Sequence, residues 1–129
     1  MKKIFLPFSV AFLVCTLYGE NLKGKRLYTE NYYECIKNSF STADTIECMK
    51  KEFKIQDKKL NREYKRIIKS LSPERKKKLR DIQRAWINYV NKKCSFFYHP
   101  QSGSGGLIDM QECFLEETAE RANELSKLY

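Results

Sequence analysis

The chain has 129 residues, of which 25 are Lys or Arg and 16 are Asp or Glu, giving a net charge of +9. This length allows one domain at most and excludes a multidomain enzyme. A basic balance of this size suits contact with anionic polymers or membrane surfaces, and it equally suits the solvated faces of basic helices.

Residues 1–19 have the layout of a secretory signal peptide: a basic start, an apolar run ending at Cys15, then small or turn-forming residues. The apolar run is shorter than the roughly 20 residues of a transmembrane helix. We expect cleavage after Gly19, which leaves 110 residues and a net charge of +7. Lipid attachment at Cys15 is disfavoured because Val14 precedes it, so no stable membrane anchor is expected.

The mature chain begins with a polar lead-in at residues 20–31, and residues 32–129 are predicted to form one helical domain. A short segment around Cys35 is expected to be helical, and residues 38–42 to form a turn. Ser41 or Thr42 suits the N-cap of the next helix.

That next helix shows the clearest pattern, because its apolar residues recur at helical spacing on one face. They are Ile46, Met49, Phe53, Leu60, Tyr64, Ile67 and Leu71. Asp57 stands on the same face, at the one step where an apolar residue is missing.

A second long helix follows almost at once, since Ser72 suits an N-cap and Pro73 the first helical position. Its apolar positions are Leu79, Ile82, Trp86 and Tyr89, flanked by Gln83 and Val90. Because the turn is so short, we expect the two helices to be antiparallel neighbours.

An aromatic segment and a flexible glycine-rich loop, Gly103 to Gly106, separate this hairpin from a last helix over about Ile108 to Leu128. The inward face predicted for that helix is Met110, Phe114, Thr118, Arg121, Leu125 and Leu128. No strand pattern competes. The fold class is therefore predicted as all-α, a small antiparallel helical hairpin with a third, C-terminal helix, stapled by disulfides.

Four cysteines, Cys35, Cys48, Cys94 and Cys113, remain after cleavage, and an even number in a small exported chain indicates disulfides. Local pairing, Cys35–Cys48 with Cys94–Cys113, closes the shorter loops and is favoured. The alternative, Cys48–Cys94 with Cys35–Cys113, stays open because Cys48 and Cys94 fall level in the hairpin.

Asp57 is predicted to belong to a structural polar tie, because a carboxylate on a core face needs a partner. Trp86, whose indole N–H is a donor, falls level with Asp57 in the hairpin. Arg121 is also charged on an apolar face, so an Asp57–Arg121 pair would lock the last helix to the hairpin.

No group of residues predicts catalysis. His99 is the single histidine and has no nucleophile at a recognisable spacing, while Ser102 and Ser104 resemble linker serines. A zinc site using His99 is disfavoured in an oxidising compartment. We therefore predict a protein that is not an enzyme and has no metal or cofactor.

Two charged surfaces are candidates for binding. The basic hairpin face comprises Lys50, Lys51, Lys54, Lys58, Arg62 and Lys65, extended by Lys76 to Lys78. The acidic row comprises Glu112, Glu116, Glu120 and Glu124. Export argues against nucleic acid as a partner, which leaves anionic envelope polymers for the basic face and a basic protein for the acidic row.

Taken in order, these residues resemble the LprI-type lysozyme inhibitor family from about Tyr32 to Leu125. The features that carry the resemblance are Tyr32-x-x-Cys35, Thr42, Cys48, Asp57-x-x-Leu60-Asn61-x-x-Tyr64, Leu71-Ser72-Pro73, Leu79-Arg80-x-x-Gln83-Arg84-Ala85-Trp86-x-x-Tyr89, Cys94, the Gly103 to Gly106 loop and Cys113-x-x-x-x-Thr118-x-x-Arg121-x-x-x-Leu125. The sequence departs from the family at Val90, where Arg is frequent.

The resemblance implies a periplasmic or secreted binding protein that inhibits a lysozyme-like muramidase by occluding its cleft. Because many lysozymes are basic, contact is expected through the acidic last helix or an inserted loop, Phe96 to Gly106. The alternative hypothesis is an envelope protein that binds anionic glycan or lipid through its basic helical face.

Overall fold

The computed structural model describes residues 26–128, within which all regular structure is helical. The helices are α1 (Glu30–Lys37), α2 (Thr42–Ser70), α3 (Pro73–Ser95) and α4 (Gly103–Ser126). The predicted all-α class, a hairpin with a C-terminal third helix, is confirmed. The predicted signal peptide, including Cys15, lies outside the described residues.

The first three helices begin at hydroxyl side chains that satisfy a backbone N–H of the first turn. Ser41 Oγ accepts from the Asp44 N–H at 3.1 Å, as predicted for one of two candidate caps. Ser72 Oγ accepts from the Arg75 N–H at 3.4 Å, and Pro73 is the first helical residue, also as predicted.

α4 occupies the centre of the molecule. It packs along α2 and also against α3, while α1 packs on α2. α2 and α3 are joined by a short turn but diverge, because α4 lies between them. The fully buried Ala119 and Ala122 allow α4 to approach its neighbours closely.

The position of α4 changes which side of α3 is buried. Leu79, Gln83, Val90 and Cys94 are buried, whereas Ile82 and Tyr89 are 55% and 56% exposed. The predicted apolar face of α3 was thus rotated from the true one. The reason is that α3 turns toward α4 rather than toward α2.

α4 likewise buries more than the single face predicted for it, since it has neighbours on two sides. Its buried residues are Gly106, Cys113, Leu115, Thr118, Ala119, Arg121, Ala122 and Leu125. Leu128, predicted to face inward, is exposed. The helix also begins at Gly103, so the predicted flexible glycine loop is in fact its first turn.

Two disulfides connect the helices in pairs. Cys35–Cys48 joins α1 to α2, with a Cα–Cα distance of 5.8 Å, and Cys94–Cys113 joins α3 to α4 at 5.4 Å. The favoured local pairing is therefore confirmed. In a chain of this size each bridge stabilises the fold by about 2–4 kcal/mol.

A buried carboxylate fixes the start of α1. Glu52 of α2 accepts hydrogen bonds from the Thr29 N–H at 2.9 Å, the Thr29 hydroxyl at 2.5 Å and Gln56 Nε2 at 2.7 Å. Thr29 is also the N-cap of α1, so the carboxylate sits at the positive end of that helix. Residues 26–31, the second half of the predicted lead-in, therefore lie against the domain.

Candidate binding surfaces

An aromatic loop projects from one end of the molecule. It comprises residues 96–102 between α3 and α4, and Phe96 is 84% exposed, with Phe97 and Tyr98 also exposed. The Phe96 and Phe97 rings lie edge to face, with their centroids 6.3 Å apart. Neighbouring exposed aromatic residues of this kind are typical of a protein contact surface. Phe40, in the turn before α2, is also exposed, at 93%.

Backbone and side-chain hydrogen bonds brace this aromatic loop. The Ser102 hydroxyl donates to the His99 carbonyl at 2.8 Å and accepts from the His99 N–H at 3.2 Å. Gly106 packs so closely that an added Cβ would lie 2.7 Å from the Phe97 carbonyl oxygen. The Cys94–Cys113 disulfide clamps the base of the loop, which is therefore preformed.

His99 lies exposed in the aromatic loop. Its Nδ1 accepts a hydrogen bond from the Gln101 N–H at 3.2 Å. Within residues 26–128, no group of three or more His, Cys, Asp or Glu side chains is arranged to hold a metal ion.

A groove of about 520 Å³ separates α2 from α3, with α4 as its floor. Its aromatic lining is Phe53, Tyr64, Trp86 and Phe114, and its polar lining includes Asp57, Asn61, Arg80, Gln83, Arg84 and Thr118. The sequence does not indicate this groove, because the short turn between α2 and α3 predicts that the two helices pack directly against each other. Most of these residues are ones that carry the family resemblance.

The members of the predicted polar tie are only partly brought together. Arg121 is buried, with its guanidinium 5.9 Å from the Trp86 ring centroid. Its hydrogen bonds go to Gln83 at 3.1 Å and Glu124 at 2.7 Å rather than to Asp57. Asp57 instead accepts from Asn61 Nδ2 at 3.1 Å, because it is half-buried on the groove wall rather than in the core.

The acidic row is exposed along α4, but its members have different surroundings. Burial and then Glu116 raise the pKa of Tyr28, and burial and then Glu112 raise the pKa of Tyr32. Two carboxylates of the row therefore lie beside the lead-in and α1. Glu124 pairs with Arg121.

The basic face continues along the exposed side of α2. Lys58, Asn61, Arg62, Lys65, Arg66 and Lys69 line one shallow surface there. Glu63 lies within it, and its hydrogen bonds from Arg66 and Arg62 lower the pKa of that carboxyl. The surface is basic but partly neutralised.

Within residues 26–128, no helix is both long enough and apolar enough to cross a membrane. The described chain is thus a small helical protein with two disulfides, a rigid aromatic loop and an open groove, an arrangement that suits binding. The model of the lysozyme inhibitor LprI family matches residues 35–125, which is most of the chain. The protein belongs to the LprI family. Comparisons with curated proteins and with solved structures find no significant match.

Proposed function

We propose that this protein is an exported, non-enzymatic inhibitor of a lysozyme-like muramidase and that it acts by placing its aromatic loop in the enzyme cleft. Membership of the LprI family supports the partner class. The predicted signal peptide and the two disulfides support a periplasmic or secreted location.

The observation that carries the mechanism is the braced aromatic loop. A protruding loop can block an enzyme whose active site lies in a cleft. A loop that already has its bound conformation loses less conformational entropy on binding. Phe96, the C-cap residue of α3, and Phe97 offer exposed apolar area where the loop leaves that helix, and the Cys94–Cys113 bridge holds this end of the loop in place. Aromatic anchors of this kind carry much of the free energy of binding in protein interfaces.

The acidic row is the competing contact surface. It offers charge complementarity to a basic enzyme, but Glu112 and Glu116 lie beside Tyr28 and Tyr32, and Glu124 is paired with Arg121. Glu120 stays available at the surface. We therefore assign the row to steering of the encounter rather than to occlusion of the cleft.

A lysis assay tests the proposal. Purified, oxidised protein at micromolar concentration should slow the lysis of bacterial cells by at least one of several lysozyme types. Charge reversal at Glu112 and Glu120 should slow association and leave the dissociation rate nearly unchanged. No slowing with any lysozyme type would contradict the proposal.

The basic surface of α2 supports a second candidate function, binding of an anionic envelope polymer. Lys58, Lys65 and Lys69 are exposed together on one shallow surface. Retention on anionic glycans or lipids should then fall steeply with salt, and it should fall further when Lys58, Lys65 and Lys69 are neutralised. Retention that does not change with salt would count against this function.

A further inference from the structure

The groove between α2 and α3 has the dimensions of a ligand site. Phe53 to Tyr64 on one wall and Arg80 to Asn91 on the other each comprise 12 residues, whose ends lie about 16 Å apart along the helix. A volume of about 520 Å³ lies in the range of small-ligand pockets.

Aromatic side chains supply flat apolar surface inside the groove. Trp86 and Tyr64 are half-buried on opposite walls of the groove, with Phe114 at the floor. Arg121 lies over the Trp86 ring from within the core. The tryptophan is thereby held in place while part of it stays accessible to a ligand.

Polar groups on the walls have hydrogen-bonding capacity to spare. Asn61 orients the Asp57 carboxylate, which can accept further hydrogen bonds. Arg121 donates to the Gln83 side-chain oxygen, and the Gln83 amide nitrogen therefore stays available as a donor. On the α2 wall the polar residues lie between Phe53 and Tyr64, and on the α3 wall Gln83 comes before the apolar stretch that begins at Trp86.

Two guanidinium groups give the groove a positive rim. Arg80 and Arg84 lie one helical turn apart on α3 and are both exposed. Within residues 26–128 neither has an ion-pair partner, whereas Arg62, Arg66 and Arg121 each pair with a glutamate. Unpaired guanidinium groups suit the bidentate binding of a carboxylate.

We propose that the groove binds an acidic saccharide. A sugar ring stacks its C–H face on Trp86, its hydroxyl or acetamido groups bond to Asp57 and Gln83, and its carboxylate pairs with Arg80 and Arg84. A lipid acyl chain fits less well, because Asp57 and Asn61 interrupt the apolar surface of the α2 wall and Arg80 and Arg84 give one end of the α3 wall a positive charge. This site is distinct from the aromatic loop, and its occupancy does not depend on lysozyme inhibition.

A matched pair of disaccharides tests the proposal by NMR titration of the oxidised, isotope-labelled protein. One probe is N-acetylglucosaminyl-N-acetylmuramic acid, which carries a carboxylate, and the other is neutral di-N-acetylchitobiose. The acidic probe should shift groove resonances saturably and bind about tenfold or more tightly than the neutral probe.

Charge-neutralised variants complete the test. Arg80→Gln with Arg84→Gln should remove the advantage of the acidic probe. Lys77→Gln with Lys92→Gln makes the same change in charge on exposed residues of α3 outside the groove, and it should leave binding intact. Equal binding of both probes, insensitivity to the arginine variants or no binding would each overturn the proposal.

Discussion

At the scale of single residues, the structure depends on polar side chains whose roles their sequence positions did not reveal. Glu52 and Gln56 are buried on α2, although neither belongs to its predicted apolar face. Glutamate is ordinarily a surface residue of a basic helix, and its partner, Thr29, lies 23 residues away in a segment predicted to be loose. Local periodicity cannot reveal such a distant pairing.

Replacing Glu52 should release the start of α1. Glu52→Ala leaves the Thr29 N–H and hydroxyl without their acceptor and should lower the free energy of unfolding by about 1–3 kcal/mol. Glu47→Ala on the exposed side of the same helix is the control and should change it little. Urea unfolding measures both variants, and equal stability of the two would contradict the assigned role of Glu52.

Close packing requires a glycine at position 106. The neighbouring Gly105 provides a matched control for testing this requirement. An added methyl group at Gly106 would lie 2.4 Å from Ser102 Cβ, whereas the same group at Gly105 meets nothing within 4 Å. Gly106→Ala should therefore cost about 1–3 kcal/mol and displace the aromatic loop. Gly105→Ala should be neutral or stabilising, because alanine favours the helix. Thermal unfolding measures both variants, and equal melting temperatures would contradict the requirement for glycine at position 106.

At the scale of helices, the sequence predicted boundaries and caps better than packing. Ser41, Ser72 and Pro73 act locally, so their residue types were sufficient to predict where α2 and α3 begin. The buried face of α3 differs from the predicted one, as shown by Gln83, which is buried, and by Tyr89, which is exposed. That face is set by Arg121 and the Cys94–Cys113 bridge, both of which involve α4, so periodicity within α3 could not indicate it.

Removing each disulfide in turn should distinguish an effect on stability alone from an effect on both stability and lysozyme inhibition. Replacing Cys94 and Cys113 together by Ser, or Cys35 and Cys48 together by Ser, should each lower the free energy of unfolding by about 2–4 kcal/mol. Only the first pair clamps the aromatic loop, so only its removal should also weaken lysozyme inhibition under conditions where both variants stay folded. Equal loss of inhibition in both would contradict the loop mechanism.

The packing of the lead-in against α1 should make stability depend on alkaline pH. Burial first, then Glu116, raises the pKa of Tyr28, so the fold favours the neutral phenol. The contribution of the neutral Tyr28 phenol to the free energy of unfolding is complete below the pKa of tyrosine in the unfolded chain, about 10. It is lost as the pH rises above that value. Tyr28→Phe should therefore lose less stability than the native protein between about pH 9 and pH 11.

Urea unfolding at the two pH values measures this difference, with mass spectrometry to verify that the disulfides stay intact. Tyr98→Phe, a change at an exposed tyrosine of the aromatic loop, is the control and should behave like the native protein. A loss of stability in Tyr28→Phe as large as that of the native protein would contradict the role assigned to Tyr28.

At the scale of the whole molecule, the central position of α4 explains two of the candidate binding surfaces, the aromatic loop and the groove. Its first turn braces the aromatic loop through Gly106, and its middle forms the floor of the groove through Phe114 and Thr118. The sequence predicted the three long helices, the short helical segment around Cys35 and their connectivity. It could not predict that the C-terminal helix separates the other two, because that depends on small buried residues such as Ala119 and Ala122.

The proposed inhibition of a muramidase depends above all on the aromatic loop. The most direct measurement compares inhibition of lysozyme-catalysed cell lysis by the native protein, by Phe96→Ala and by Tyr89→Ala, a truncation of an exposed aromatic residue on α3. Phe96→Ala should weaken inhibition about tenfold or more, and Tyr89→Ala should leave it unchanged. Inhibition that survives Phe96→Ala undiminished, with both variants folded, would contradict the account.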